Sequence, residues 1–191
     1  MRNLLPPAGA GSAACLALLL AGAPLAHAAG PIELQVEREG SLLKVTATIV
    51  AEAPADLCYA VISDFDRLAD FIPDLKSSRI VSGPRQPLRL RQVGETRGGF
   101  SRYSIDVTLA LTVDPPREIS FTRVDGNLEK MEGRWRVHGD TGRCTIDYRA
   151  DLQPAFWVPP VLGPMIMRQQ VEAQLEGLKA EIDRRALAHS P

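Results

Sequence analysis

The chain has 191 residues, 22 basic against 23 acidic side chains, a formal net charge of −1 and 45% hydrophobic residues. Near-neutral charge with scattered basic residues, some alternating with apolar ones as in Leu88-Arg89-Leu90-Arg91, excludes a phosphate-tracking surface, so no nucleic-acid partner is expected. No Cys-x-x-Cys occurs, and the three histidines are His27, His138 and His189; neither a metal site nor a cofactor is expected.

The first 28 residues read as an export signal. Arg2 supplies a positive start, Ala13–Ala23 an apolar core, and Ala26-His27-Ala28 a small-x-small cleavage site. That apolar run falls short of the roughly 20 residues a membrane span needs. The expectation is therefore a periplasmic or secreted protein cleaved near Ala28, with residues 29–191 forming one domain. Cys58 and Cys144 remain after cleavage. An oxidising compartment makes a bridge chemically feasible, but spacing supplies no geometry, and the reading here is two independent buried thiols acting as small hydrophobes.

Ile32–Glu37 alternates apolar and polar residues, Glu39-Gly40 turns, and Leu43–Val50 is β-branched; a hairpin is expected. Ala53–Ile62 predicts a short helix with Pro54 in its first turn, where a missing N–H costs nothing. Arg67–Phe71 predicts a second, ending at Pro73. Six further strands follow, separated by turn clusters such as Asp114-Pro115-Pro116 and Asp125-Gly126-Asn127: Leu75–Val81, Leu88–Thr96, Tyr103–Val113, Glu118–Val124, Leu128–His138 and Cys144–Leu152. In the third of these, Ile105, Val107, Leu109, Leu111 and Val113 share one face. Arg97-Gly98-Gly99-Phe100 reads as a hairpin turn. After Pro159-Pro160 one long helix runs to about Leu187, with Met167, Val171, Leu175, Leu178 and Ile182 as its apolar stripe and charges, Lys179, Glu181 and Arg185 among them, on its surface.

This order of elements implies an α+β fold in which a curved antiparallel sheet wraps around a long C-terminal helix, two short helices close one end, and a hollow remains between. Several motifs in the same order make the resemblance specific: Ala53-Pro54-Ala55-Asp56, Tyr59–Phe65, Phe71-Ile72-Pro73, Asp114-Pro115-Pro116 before Ile119-Ser120-Phe121, Gly133-Arg134-Trp135, Gly142, Thr145–Tyr148 and Pro159-Pro160-x-x-Gly163-Pro164. From about Ala47 to Arg185 the chain resembles the START, or helix-grip, superfamily (SRPBCC), in the polyketide cyclase/dehydrase and coenzyme Q-binding START-like branch. The resemblance implies binding or transport of a small hydrophobic ligand, such as a lipid, an isoprenoid quinone or a polyketide-like molecule. An export signal and an extra N-terminal strand depart from the intracellular quinone-binding members.

No nucleophile elbow, zinc-protease motif or phosphate loop is present, and His138 reads as a solvated strand-end residue rather than a catalytic one. No catalytic residue is assigned; a cyclase/dehydrase-like enzyme and a non-catalytic envelope interaction protein stand as the alternatives. The candidate ligand-binding residues are Phe65, Phe71, Ile72, Phe121, Trp135, Trp157, Met165, Met167 and Val171, beside Phe156. Arg123 and Tyr148 join them because they share phase with Phe121 and Ile146. An inward Arg would need a partner, so Arg123 is expected at the cavity mouth or exposed past a bulge, and Tyr148 to pack its ring while its hydroxyl bonds locally. The Phe156–Pro160 loop is a candidate for transient membrane contact, since Trp favours the water–lipid interface.

Overall fold

Gly40, at φ +63°, turns the first hairpin: β1 (Ile32–Glu39) pairs antiparallel with β2 (Leu42–Ala51), placing Leu34 opposite Ala47 and Val36 opposite Val45. The computed structural model describes residues 32–84, 86–98, 101–155 and 162–189. The chain then forms α1 (Ala55–Ile62), a single 3-10 turn over Phe65–Arg67 and α2 (Leu68–Phe71). Six strands follow: β3 (Leu75–Ile80), β4 (Arg89–Gly98), β5 (Ser101–Asp114), β6 (Glu118–Gly126), β7 (Leu128–Gly139) and β8 (Cys144–Pro154). Helix α3 (Leu162–His189) ends the fold.

All neighbouring strands are antiparallel, in the order β1-β2-β8-β7-β6-β5-β4-β3. Strands β3 to β8 form a meander, each pairing with the next in sequence. The segment holding α1 and α2 carries the chain from β2, inside one edge, to β3 at the other. Helix α3 touches β1 and β2 on one side of the sheet and β4 on the other. Twisted and coiled as antiparallel sheets are, the sheet curls around α3, which crosses its concave face. This is the α+β helix-grip arrangement.

The core lies between the sheet's concave face and α3. Val171, Leu175, Leu178 and Ile182 are 6%, 1%, 3% and 0% exposed, and burying each such side chain stabilises the fold by roughly 1.5–3 kcal/mol. Val107, Leu109 and Leu111 of β5 are buried as their alternation predicts, whereas Val113, at the strand's end beyond the helix, is 40% exposed. Close approach of α3 to the α2 corner depends on Gly177, where a Cβ would sit 2.4 Å from the Phe71 carbonyl oxygen.

Two expectations need correction. Cys58 and Cys144 are a disulfide with Cα atoms 6.7 Å apart, not separate thiols. The register explains it: Ala51 at the end of β2 pairs with Cys144, so α1, beginning four residues later, returns directly over β8. Lys179 and Glu181 are buried rather than superficial. Lys179 reaches Asp183 at 2.7 Å, and Glu181 accepts hydrogen bonds from Arg184 and Arg185 at 2.7 and 2.8 Å and at 2.7 Å.

Candidate ligand-binding site

Two chambers lie between the sheet and α3. The inner one, about 120 Å³, sits under the short helices: Ile62, Phe65, Leu68 and Ile72 form its roof, Leu109, Leu111, Ile119, Phe121 and Trp135 its sheet wall, and Leu178 its α3 wall. The outer one, about 140 Å³, is walled by Ile105, Val107, Leu128 and Leu152 from the sheet and by Ile166, Met167 and Val171 from α3. Leu75, Gln92, Met131, Tyr148 and Gln174 line both, so they form a waist between them. Outward, Asp74, Glu95, Ile166 and Gln170 are shared with a polar surface hollow that also includes Lys76, Gln169 and Ala173. That hollow is the mouth. Asp74 holds it at φ +63° and accepts the Glu95 backbone N–H at 3.0 Å.

The sheet wall is aromatic where three strands meet in register. Trp135 of β7 is directly opposite Tyr148 of β8, and Phe121 of β6 is opposite Gly133. A side chain at Gly133 would collide with the Phe121 ring, 2.6 Å from an added Cβ; its absence lets the ring lie flat across the sheet. The Trp135 and Tyr148 ring centroids are 4.1 Å apart, in close tilted contact, and those of Phe121 and Tyr148 are 6.3 Å apart, the second within the roughly 4.5–7 Å of favourable aromatic pairs.

Tyr148 is 8% exposed, and burial pushes its phenol above the usual tyrosine range. The expected local hydrogen bond is not made: among the described residues nothing bonds its hydroxyl, which has the waist for its surroundings. Gln92 turns its amide towards the buried Ser78 hydroxyl at 3.4 Å.

The structure brings Phe65, Ile72, Phe121, Trp135, Tyr148, Met167 and Val171 to the chamber walls. Three candidates fall elsewhere. Phe71 lines neither chamber; it packs against the edge of the core, its ring under the Arg185 guanidinium at 5.8 Å. Met165 is 60% exposed, on the helix face away from Met167. Arg123 lines neither chamber; the irregularity in β5–β6 pairing skips Val124, and Arg123 bends over the hairpin to donate to the Gly126 carbonyl at 2.9 Å. Trp157 and Phe156, with the loop to Pro160, lie outside the described residues. His138 is exposed and 3.7 Å from Asp147, away from both chambers.

Gln92, Gln174, Met131 and Asp74 were missed. Two of them had a signal: Gln92 shares strand phase with Leu90, and Gln174 falls between Val171 and Leu178 in the helix stripe, where a polar residue is out of place unless it meets something polar. Asp74 had none, because only the meeting of β3, β4 and α3 makes it part of the mouth.

Comparison with known proteins agrees with this geometry. Residues 51–179 match the family described as polyketide cyclase / dehydrase and lipid transport, and the chain belongs to that family. Among solved structures it is similar to a START superfamily protein from Mycobacterium smegmatis, at 19% identity over 74% of this chain and 97% of that one, TM-score 0.63. It is also similar to a STAR-related lipid transfer protein from Xanthomonas axonopodis, at 15% identity over 80% of this chain and 93% of the other, TM-score 0.61. A third likeness is to the Zhui aromatase/cyclase from a Streptomyces species, at 21% identity over 75% and 95% of the two chains, TM-score 0.54. No curated protein matches. The fold is thus that of the START-like structures; what such a fold carries must be argued from the site.

Proposed function

We propose that this protein binds and carries a small hydrophobic molecule, of the lipid, isoprenoid quinone or polyketide-like kind, between the sheet and α3. One observation carries the reading: the grip is not filled by its own side chains but leaves two apolar chambers joined at a polar waist. Each chamber is small beside the roughly 300–1,000 Å³ of a drug-sized pocket. A slim guest, one chain or a small ring system threaded through the waist, suits them better than a two-chain lipid. Met131 and Met167 line the passage, and flexible thioethers adapt to different guests. The unfilled chambers remove the support that a solid interior would have lent to a purely structural envelope role.

A cyclase/dehydrase-like activity is the second reading, favoured by the Tyr148 hydroxyl, which has no hydrogen-bond partner among the described residues. It is weaker because the chambers are lined by no histidine among the described residues, and Asp74 and Glu95 stand at the mouth rather than beside Tyr148.

Residues 1–28 and the Cys58–Cys144 bridge support a periplasmic or secreted location, since stable disulfides belong to oxidising compartments. The decisive experiment is native mass spectrometry of protein purified from the envelope of its own host, followed by lipid extraction. A stoichiometric apolar guest is expected. Protein that is always empty, and that takes up neither lipids nor quinones, would refute the carrier reading.

A further inference from the structure

The convex face of the sheet, turned away from α3, carries its polar side chains in rows, because residues in register on neighbouring strands point to the same side. One row runs Gln35, Thr46, Arg149, Arg134, Ser120 and Thr112 across β1, β2, β8, β7, β6 and β5. Its charged members are two arginines directly opposite one another, with Cβ atoms on the order of 5 Å apart. Like charges so placed repel.

Acids stand in both neighbouring rows, and those beside the arginines are engaged elsewhere. On one side Glu33, Asp147, Glu118 and Asp114 accompany Arg136. Glu118 accepts Arg136 at 2.5 Å and the Ser120 hydroxyl at 2.9 Å, with Arg134 adding only a longer-range attraction. Asp147 accepts the Thr48 hydroxyl at 3.0 Å. On the other side Glu37, Asp151 and Glu132 accompany Lys44. Lys130 holds Glu132 at 2.9 Å and Asp151 at 3.4 Å. Among the described residues, therefore, neither Arg134 nor Arg149 has a hydrogen bond or an ion pair.

Beside the two guanidinium groups the face is hollowed, over about 350 Å³. Phe121, Gly133 and Ala150 floor the hollow, on the reverse of the inner chamber's aromatic wall. Both arginines border it, with Ser120 and Thr122 hydroxyls on the β6 side and Glu132 and Asp151 at the far rim.

We propose that Arg134 and Arg149 form a binding site for the phosphate group of a small soluble molecule, held between their two guanidinium forks on the convex face. Each fork can give a phosphate two parallel N–H···O bonds, and a dianion between two cations turns their repulsion into attraction. A flat anionic membrane fits less well. It would also meet the carboxylates of both flanking rows, whereas a single phosphate lies within the one row that has none.

Inorganic phosphate and vesicles of phosphatidylglycerol with phosphatidylcholine separate the two sources of this group. Phosphate is titrated into the disulfide-bonded protein against chloride of equal ionic strength, and binding is read from the arginine Nε–H resonances. A dissociation constant of about 1 mM is expected for so exposed a site. Arg134→Gln and Arg149→Gln should each weaken it about tenfold, while the melting temperature in phosphate-free buffer stays unchanged or rises as the repulsion is relieved. Vesicles should not bind. The site is overturned if phosphate does no more than chloride, if either variant binds phosphate as the wild type does, or if both variants melt lower without phosphate, which would show arginines already in use within the fold. Vesicles that bind through Arg134 and Arg149 while free phosphate does not would overturn the soluble ligand in favour of a lipid headgroup.

Discussion

The Trp135 ring is tilted 31° against the Tyr148 ring with centroids 4.1 Å apart, and this pair forms the wall where the inner chamber meets the waist. A guest in the inner chamber therefore alters the surroundings of an indole. Ligand binding should change tryptophan fluorescence, and the change should survive Trp157→Phe but vanish in Trp135→Phe. Loss of the signal in Trp157→Phe instead would move the binding event away from the inner chamber.

Met131 lines both chambers and is only partly buried. Met131→Trp should fill the waist with little strain on the sheet. Binding of naphthalene and of the native guest is expected to fall at least about tenfold, with melting temperature unchanged or raised because a void is occupied. Unaltered binding in a folded variant would show that the guest does not pass the waist.

The Cys58–Cys144 bridge spans 86 residues of sequence and ties α1 to β8. In the chain-entropy account a closed loop of that size stabilises a protein by about 4.6 kcal/mol, and bridges typically deliver about 2–4 kcal/mol. The double variant Cys58→Ala/Cys144→Ala should lose stability of that order in urea unfolding, and a reducing agent should reproduce the loss in the wild type. Equal urea midpoints with and without reductant would contradict a bridge.

Glu181 is 7% exposed, and its carboxyl is held down to about 2 by hydrogen bonding from Arg184 and then Arg185, against the upward push of burial. A carboxyl with a lowered folded-state pKa stabilises the protein above its unfolded value, ordinarily near 4.5. That contribution drains away as pH falls towards 2. At about 1.4 kcal/mol per pKa unit, acid should cost on the order of 2–3 kcal/mol between pH 5 and pH 2 through this group. Glu181→Gln should flatten that part of the stability–pH curve and be less stable than wild type at neutral pH; an unchanged curve would mean that the Arg184 and Arg185 contacts contribute nothing.

Gly177 is the contact between α3 and the corner after α2. An added Cβ would lie 2.4 Å from the Phe71 carbonyl oxygen and 2.6 Å from Pro73 Cδ, and the first of these is backbone that has no free torsion to yield. Gly177→Ala should push the helix off the corner and destabilise the fold by about 1–3 kcal/mol, despite alanine's better helix propensity. A gain in melting temperature would show that this corner gives way freely.

Much of the architecture was legible along the chain, because strand and helix are written in periodicities of two and 3.6 residues. The alternation around Val107–Leu111 and the stripe Val171–Leu175–Leu178–Ile182 located β5 and α3 and named their buried faces. Alternation also brought Phe121 and Tyr148 to the same wall. What periodicity reports is a face, not what stands opposite it. Arg123 has the phase of Phe121, yet a skipped residue in the β5–β6 ladder and the Gly126 carbonyl take it out of the cavity. Cys58 and Cys144 meet only because the end of β2 lies beside the start of β8. Asp74 gains its place at the mouth only where β3, β4 and α3 converge. Local order therefore came from each residue's near neighbours. The bridge, the mouth and the surroundings of Tyr148 came from long-range pairings, whose register and bulges no single stretch of sequence contains.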